Sequence, residues 1–290
     1  MSRDATAGQG CAWITGAGGL IGSYLVRLAE RYAPPCKIIP LARADLDLTD
    51  FAAVERRFLA DRPRLVIHCA AMSKTPDCQA NPALARKINV EATARLAALA
   101  ADADLIFFST DLVFDGRKGN YVEADPVNPL NFYGETKAEA ESIVCGNARH
   151  AVARTSLNSG ASPGGGSAYN EQLRAAWSGG KIVKLFYDEY RSPIPAAVTA
   201  RAVWEMAAHP RGGLWHLAGA ERLSRLQIGR LLAARRPELP ARLESTSLRE
   251  YQGAPRPADT SLNCAKLQRH LSFRLPGLTE WLRENPRDEF

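Results

Sequence analysis

Tyr133-Gly134-Glu135-Thr136-Lys137 sets a phenol and an ammonium four residues apart, one turn along a helix and on the same face. A strand-like run ending in Ser109-Thr110 precedes it, and the chain opens with Thr15-Gly16-Ala17-Gly18-Gly19-Leu20-Ile21-Gly22. Such a set is a proton relay for carbonyl–alcohol redox chemistry. Tyr133 would donate its phenolic proton to a carbonyl as hydride arrives, Lys137 would lower the phenol pKa and bind a nicotinamide ribose, and Thr110 would hydrogen-bond the reacting oxygen. Either motif alone is weak, since one of eight tyrosines could stand four residues before a lysine by chance. In this order and separation they argue for a nicotinamide-dependent oxidoreductase.

The glycine run follows a five-residue apolar strand and opens a helix, the context that a dinucleotide fingerprint requires. Gly16 permits the tight turn, Gly19 lets the backbone approach a pyrophosphate, and Gly22 lets helix pack on strand, with Leu20 and Ile21 in the helix start that faces the phosphates. Where an acidic residue is expected after the second strand, Pro40-Leu41-Ala42-Arg43 ends in a guanidinium, which suits the extra phosphate of NADP. Asp47 and Leu48 follow closely and can hold the adenine, Asp47 accepting from its exocyclic amine. A ligand-free turn and a solvated surface arginine are the bland readings of the same residues.

Those residues need a parallel sheet covered on both faces, and the first half supplies the pattern of alternating apolar runs and amphipathic helices. Strands are expected at Cys11–Thr15, Lys37–Ala42, Leu65–Cys69, Leu105–Ser109 and Ala151–Arg154, with helices at Leu20–Tyr32, Asp50–Leu59, Pro82–Ala101 and Asn131–Val144. The fold class is α/β: a doubly wound parallel Rossmann sheet over 9–156, with a smaller C-terminal α/β substrate lobe over 157–290, interleaved with it through a return near 190–209. Helices are expected there at Ala168–Trp177, Ala196–Ala208, Arg225–Ala234 with Ser224 as N-cap, Cys264–His270 and Leu278–Glu284. The Ser159–Ser167 segment reads as a flexible loop at a strand end, where it could serve as a lid.

With 290 residues the chain can bury a large core. No apolar run reaches membrane-spanning length, and Met1–Gly8 reads as a short frayed leader, so a cytoplasmic location is expected. The net charge of +6 comes from scattered arginines, which mildly attract phosphorylated substrates and give little support for nucleic-acid binding. Six cysteines without C-x-x-C spacing read as reduced core thiols. His68 and His216 read as satisfied sheet residues, and no cluster has metal spacing.

These residues resemble the extended short-chain dehydrogenase/reductases and, within them, the dTDP-4-dehydrorhamnose reductase-like family. Further marks are Asp47–Asp50, Ile88-Asn89-Val90-Glu91-Ala92-Thr93, Ser109–Gly116, Pro129–Lys137, Arg154-Thr155-Ser156, Arg256-Pro257 and Ser261-Leu262. The resemblance covers nearly the whole chain. It implies that Thr110, Tyr133 and Lys137 are catalytic, that Cys69-Ala70-Ala71 lies along the NADP(H), and that the substrate is a nucleotide sugar met by Ser73, Lys74, Thr110, Asp111, Leu112 and Leu157. A homodimer is also open. The departures fall where the sugar would sit: Leu112 and Leu157 stand where the family has aromatics, and Met72–Pro76 brings Lys74 near the pocket. The leading expectation is an NADPH-dependent reductase of a nucleotide-linked deoxysugar ketone. The alternatives are a non-catalytic NADP-binding partner, like the regulatory β subunit of methionine adenosyltransferase, and a sugar-nucleotide epimerase. A dehydratase is disfavoured because Leu112 occupies the position where water elimination wants a glutamate.

Overall fold

The computed structural model describes residues 10–288; the leader expected at Met1–Gly8 lies outside them. Cys11–Thr15 (β1) is buried along its whole length, as a parallel strand covered on both faces must be. It leads into helix Leu20–Tyr32 (α1), followed by Lys37–Leu41 (β2), Phe51–Asp61 (α2) and Leu65–His68 (β3). Asp50 caps α2 by accepting from Ala53 N at 3.0 Å. Next come Thr75–Ala80 (α3), Pro82–Arg86 (α4), a π turn over Lys87–Glu91, Ala92–Leu99 (α5), Asp104–Thr110 (β4), Phe132–Val144 (α6) and Ala151–Thr155 (β5).

Beyond β5 come Asn158–Ser159 (β6), Tyr169–Ser178 (α7), Ile182–Phe186 (β7), Tyr190–Arg191 (β8), Ile194–Pro195 (β9), Ala196–Ala208 (α8) and Gly213–Leu217 (β10). Leu223–Ser224 (β11), Arg225–Arg235 (α9), Arg242–Thr246 (β12), Ala265–Gln268 (α10) and Leu278–Glu284 (α11) complete the chain. The six strands of the main sheet run in the order β10-β5-β4-β3-β1-β2, all parallel. From β1 the chain steps outward to β2 and then back across to β3, so the switch point lies between the carboxyl ends of β1 and β3, where open α/β sheets bind ligands.

Alternation along each strand sends two apolar layers to opposite faces. Ile14, Ile67, Ile106 and Phe108 pack with Leu25 of α1 and Trp204 of α8, whose indole N donates to Leu25 O at 3.0 Å. Trp13, Val66, Leu105 and Phe107 pack with Val54, Phe58, Leu96 and Ala140 of α2, α5 and α6. The remaining strands form two-stranded pairs: β6 with β9, β8 with β11, and β7 with β12.

The five expected strands and the doubly wound class are present, and Ser224 caps α9 by accepting from Gln227 N at 3.2 Å. Three expectations change. The helix expected over Pro82–Ala101 is interrupted by the π turn and ends at Leu99, because one extra residue there turns Asn89 inward. The expected Cys264–His270 helix shrinks to Ala265–Gln268. Helix α3 was not anticipated, hidden behind the Pro76 breaker signal, whereas His216 lies in a sheet strand as expected, in β10, whose bounds among glycines 212, 213 and 219 had not been drawn.

Candidate active site

The glycine turn joins β1 to α1 under tight backbone contact. Gly16 sits at φ +69°, and a Cβ there would lie 2.7 Å from Ala70 N. At Gly22 a Cβ would lie 2.3 Å from Gly16 O, so only glycine lets α1 close onto the turn. The Cys69-Ala70-Ala71 segment is thereby laid against the glycine turn, and Cys69 N donates to Thr15 O at 3.2 Å. Gly19 precedes α1 with no side-chain cap and no acid in the first turn, which leaves the N–H groups of Leu20 and Ile21 and the positive helix end free to meet phosphate. This cradle fits a dinucleotide. Arg43, 82% exposed, stands just past the end of β2 with its Nε 4.0 Å from Asp47. Asp45, in the same turn, accepts from Ala42 N at 2.8 Å. Asp47 accepts from Thr49 N and Oγ1 at 2.9 and 2.8 Å, which holds its carboxyl below the usual range and keeps it ionised. Leu48 is half-buried beside it.

On the other side of the crevice, Asn131 caps α6 by accepting from Gly134 N at 2.9 Å. Gly134 packs against Leu112 O so closely that a Cβ would lie 2.4 Å from it. That contact brings the first turn of α6 onto the end of β4. As a result the Thr110 hydroxyl stands beside the Tyr133 phenol and partly offsets the cost of burying it. Burial and the nearby Asp111 carboxylate push that phenol well above its ordinary pKa, so it stands protonated as an acid should. Lys137, 2% exposed, rests its Nζ 3.8 Å from the centroid of the Phe107 ring. Burial pulls the ammonium down to about 7, partly opposed by Glu141.

Asn89, on the π turn, ties these pieces together. It accepts from Met72 N at 2.8 Å and donates to Met72 O at 3.0 Å and to Thr136 Oγ1 at 3.0 Å, while Thr136 donates to Tyr133 O at 2.8 Å. One buried amide therefore fixes both the loop after β3 and the turn of α6 that carries the tyrosine. His68 lies behind it. The Thr93 hydroxyl donates to Asn89 O at 2.7 Å, so it accepts from His68 Nε2 at 3.0 Å, leaving Nδ1 to accept from Thr15 at 2.7 Å. Burial holds this imidazole down to about 3, a neutral strut as expected.

A model of the RmlD substrate binding domain matches residues 12–286. The chain belongs to that family. A dTDP-4-dehydrorhamnose reductase of Mycobacterium tuberculosis is 32% identical over 276 residues, covering 92% of this chain and 87% of the relative. Methionine adenosyltransferase 2 subunit beta of Xenopus laevis is 28% identical over 286 residues, covering 93% and 85%. Among solved structures, a hypothetical dTDP-4-dehydrorhamnose reductase from Sulfolobus tokodaii superposes with a TM-score of 0.82 at 31% identity, covering 92% of this chain and 97% of that one.

In this member of the RmlD substrate binding domain family, the residues expected at the substrate differ in exposure. Ser73 and Lys74 are exposed, Lys74 at the start of α3, whereas Leu112 and Leu157 are half-buried, Leu157 against the main core. Asp111 is 2% exposed and its carboxylate is filled by Arg191 Nη1 at 2.7 Å, Ser156 Oγ at 2.7 Å and Thr260 Oγ1 at 3.0 Å. It fastens the later part of the chain to the end of β4 instead of offering a free carboxylate. Arg191 in turn meets Glu189, which also takes Arg225 Nε at 2.8 Å and Arg256 Nε at 2.7 Å. Sequence reading missed this hub, of which only Arg256 carried a signal, as part of Arg256-Pro257. Among the described residues no group of three or more His, Cys, Asp or Glu could hold a metal, and no helix is long and apolar enough to cross a membrane.

Proposed function

We propose that the chain is an NADPH-dependent reductase of a keto group on a nucleotide-linked deoxysugar. The observation that carries this is the Tyr133 phenol, kept protonated, set beside Thr110 and followed one turn later by the buried Lys137 ammonium, across the crevice from the glycine turn. Bound NADPH would supply the hydride. The groups placed to hold it are Gly16, Gly19, Leu20, Ile21 and Gly22 at the diphosphate, Arg43 at the ribose phosphate, Asp47 and Leu48 at the adenine, and Cys69, Ala70 and Ala71 along its length. Tyr133 protonates the substrate oxygen while Thr110 holds it, and Lys137 serves both the phenol and the nicotinamide ribose. Residues 157–290 would close over the sugar, with Leu112, Leu157, Ser73 and Lys74 at its rim. The free thiols of all six cysteines suit a reducing, cytoplasmic compartment.

The test is NADPH oxidation against a panel of nucleotide 4-keto sugars. The panel includes dTDP-4-dehydrorhamnose, from which the aliphatic Leu112 and Leu157 should shift preference by removing a ring that could stack on the sugar. Tyr133→Phe should abolish turnover and retain NADPH binding, and Lys137→Ala should damage both. An undiminished rate in Tyr133→Phe would remove Tyr133 from the mechanism. The similarity to a methionine adenosyltransferase β subunit favours a second reading, a non-catalytic NADP-binding protein. Cofactor binding without turnover on any panel member would support it.

A further inference from the structure

Lys137 and Glu141 lie four residues apart on α6, one turn from each other on the same face. Glu141 is 4% exposed and Arg154, on the adjacent β5, is 2% exposed. Arg154 forks onto the carboxylate through Nε at 2.9 and 3.1 Å and Nη2 at 2.7 Å. The arginine is itself held: its guanidinium lies 5.0 Å from the centroid of Phe114, and its Nη1 donates to His216 Nε2 at 3.4 Å, while Nδ1 of that neutral ring donates to Tyr121 O at 3.0 Å. Two ions taken out of water in this way cost more than a packed apolar pair would, so the arrangement asks for a role beyond stability.

We propose that Glu141, locked by Arg154, is a positioning residue that keeps Lys137 charged over the Phe107 ring and thereby sets the upper pH limit of the site. The other titratable groups that bear on Lys137 carry no charge at neutral pH. Cys69, just past β3, and Cys78, on α3, are pushed up by burial, Cys78 to about 11. His68 on β3 is held down to about 3 by burial and by Lys137 itself, and the Tyr133 phenol is pushed up. Glu141 is therefore the carboxylate that opposes the burial of the ammonium. Arg154 fixes where that carboxylate sits. Without the lock, Glu141 would be free to swing onto the ammonium and draw it off the ring.

The inference rests on the reductase reading only in its kinetic arm, so it is tested first without substrate or cofactor. Lysine labelled with 13C at Cε, assigned through Lys137→Arg, reports the Lys137 titration in the cofactor-free protein, with a wild-type midpoint of about 7. Glu141→Gln should lower that midpoint by about one pH unit or more, and Glu141→Asp should largely restore it. Because Glu141→Gln leaves Arg154 buried and unpaired, Glu141→Gln/Arg154→Met removes both partners and should also lower the midpoint, by less than Glu141→Gln because the arginine's positive charge goes with it. In the kinetic arm, the basic limb of kcat against pH should move to lower pH in Glu141→Gln with little change in the KM of the sugar. A Lys137 midpoint that stays at the wild-type value in either folded variant overturns the inference. A protein that reduces no nucleotide sugar but shows the shifted midpoints leaves it standing and sinks the reductase reading alone.

Discussion

The glycine turn after β1 and the charged hub around Glu189 flank the same crevice, yet they are built from different materials. At the turn, backbone does the positioning: Gly16 adopts φ +69°, Gly22 lies under the Gly16 carbonyl, and no side chain caps α1. At the hub, one wholly buried carboxylate gathers Arg191, Arg225 and Arg256, and Arg191 reaches on to Asp111 beside Thr110. Burial alone would raise the Glu189 carboxyl, but Arg225, Arg191 and Arg256 outweigh it and hold it down to about 2. The turn can be read from eight consecutive residues, because backbone geometry is local. The hub joins positions 111, 189, 191, 225 and 256, because charge complementarity acts through space.

The comparison breaks most visibly at Glu189. Glu189→Ala leaves three arginines facing one another with Asp111 as the carboxylate still bonded to one of them, and should destabilise the fold by about 3–5 kcal/mol, read by urea unfolding at pH 7. The wild type adds a pH signature of fixed sign. A carboxyl lowered from 4.5 to about 2 contributes stability that is complete above 4.5 and is lost as pH falls toward 2, worth at most about 3 kcal/mol. Glu189→Ala should lack that component of the acid slope. A variant within about 1 kcal/mol of wild type would show that the hub does not hold the later part of the chain in place.

Gly22→Ala is the matching break on the backbone side. Its Cβ would fall 2.3 Å from Gly16 O and 2.8 Å from Ala17 Cα, both backbone atoms with no rotamer to escape into. The cost should be about 1–3 kcal/mol, smaller than at the hub because no ion is orphaned. The larger effect should fall on the ligand, with NADPH affinity by calorimetry dropping at least about tenfold as α1 is pushed off the turn. Unchanged affinity in a folded Gly22→Ala protein would show that the α1 contact does not shape the cradle.

The same contrast explains what could be read in advance. The sheet strands were legible because both-face burial writes continuous apolar runs such as Cys11–Thr15, and α6 because its tyrosine–lysine face coincides with an asparagine cap. The π turn was not legible, since Ala, Leu, Asn and Val at helical spacing read as plain helix and only the tertiary pull of Met72 and Thr136 on Asn89 accounts for the extra residue. Nor was the part played by Asp111, whose partners Ser156, Arg191 and Thr260 come from three distant segments. For β10 only the sheet character of His216 was legible, because its five residues, Gly213–Leu217, are set off by glycines and pair with β5 only after a long excursion.

Arg43 tests a third kind of positioning, a solvent-exposed side chain that neither scaffold holds. Its guanidinium lies 4.0 Å from a half-exposed Asp47, a contact that adds nothing measurable to stability in water, so Arg43→Ala should leave the unfolding midpoint where it is. Its effect should appear only with the ligand. A guanidinium can pair in bidentate fashion with a ribose phosphate that NADPH carries and NADH lacks, and losing that pairing should weaken NADPH by about 1–3 kcal/mol while leaving NADH nearly unchanged. Asp45 shares the turn, but its carboxylate is directed at Ala42 N, where it closes the turn instead of reaching for a ribose hydroxyl. Calorimetry with both cofactors on wild type and variant decides the point. Equal wild-type affinities would mean that this turn does not discriminate between them, and a stability loss in Arg43→Ala would mean that Arg43 belongs to the scaffold after all.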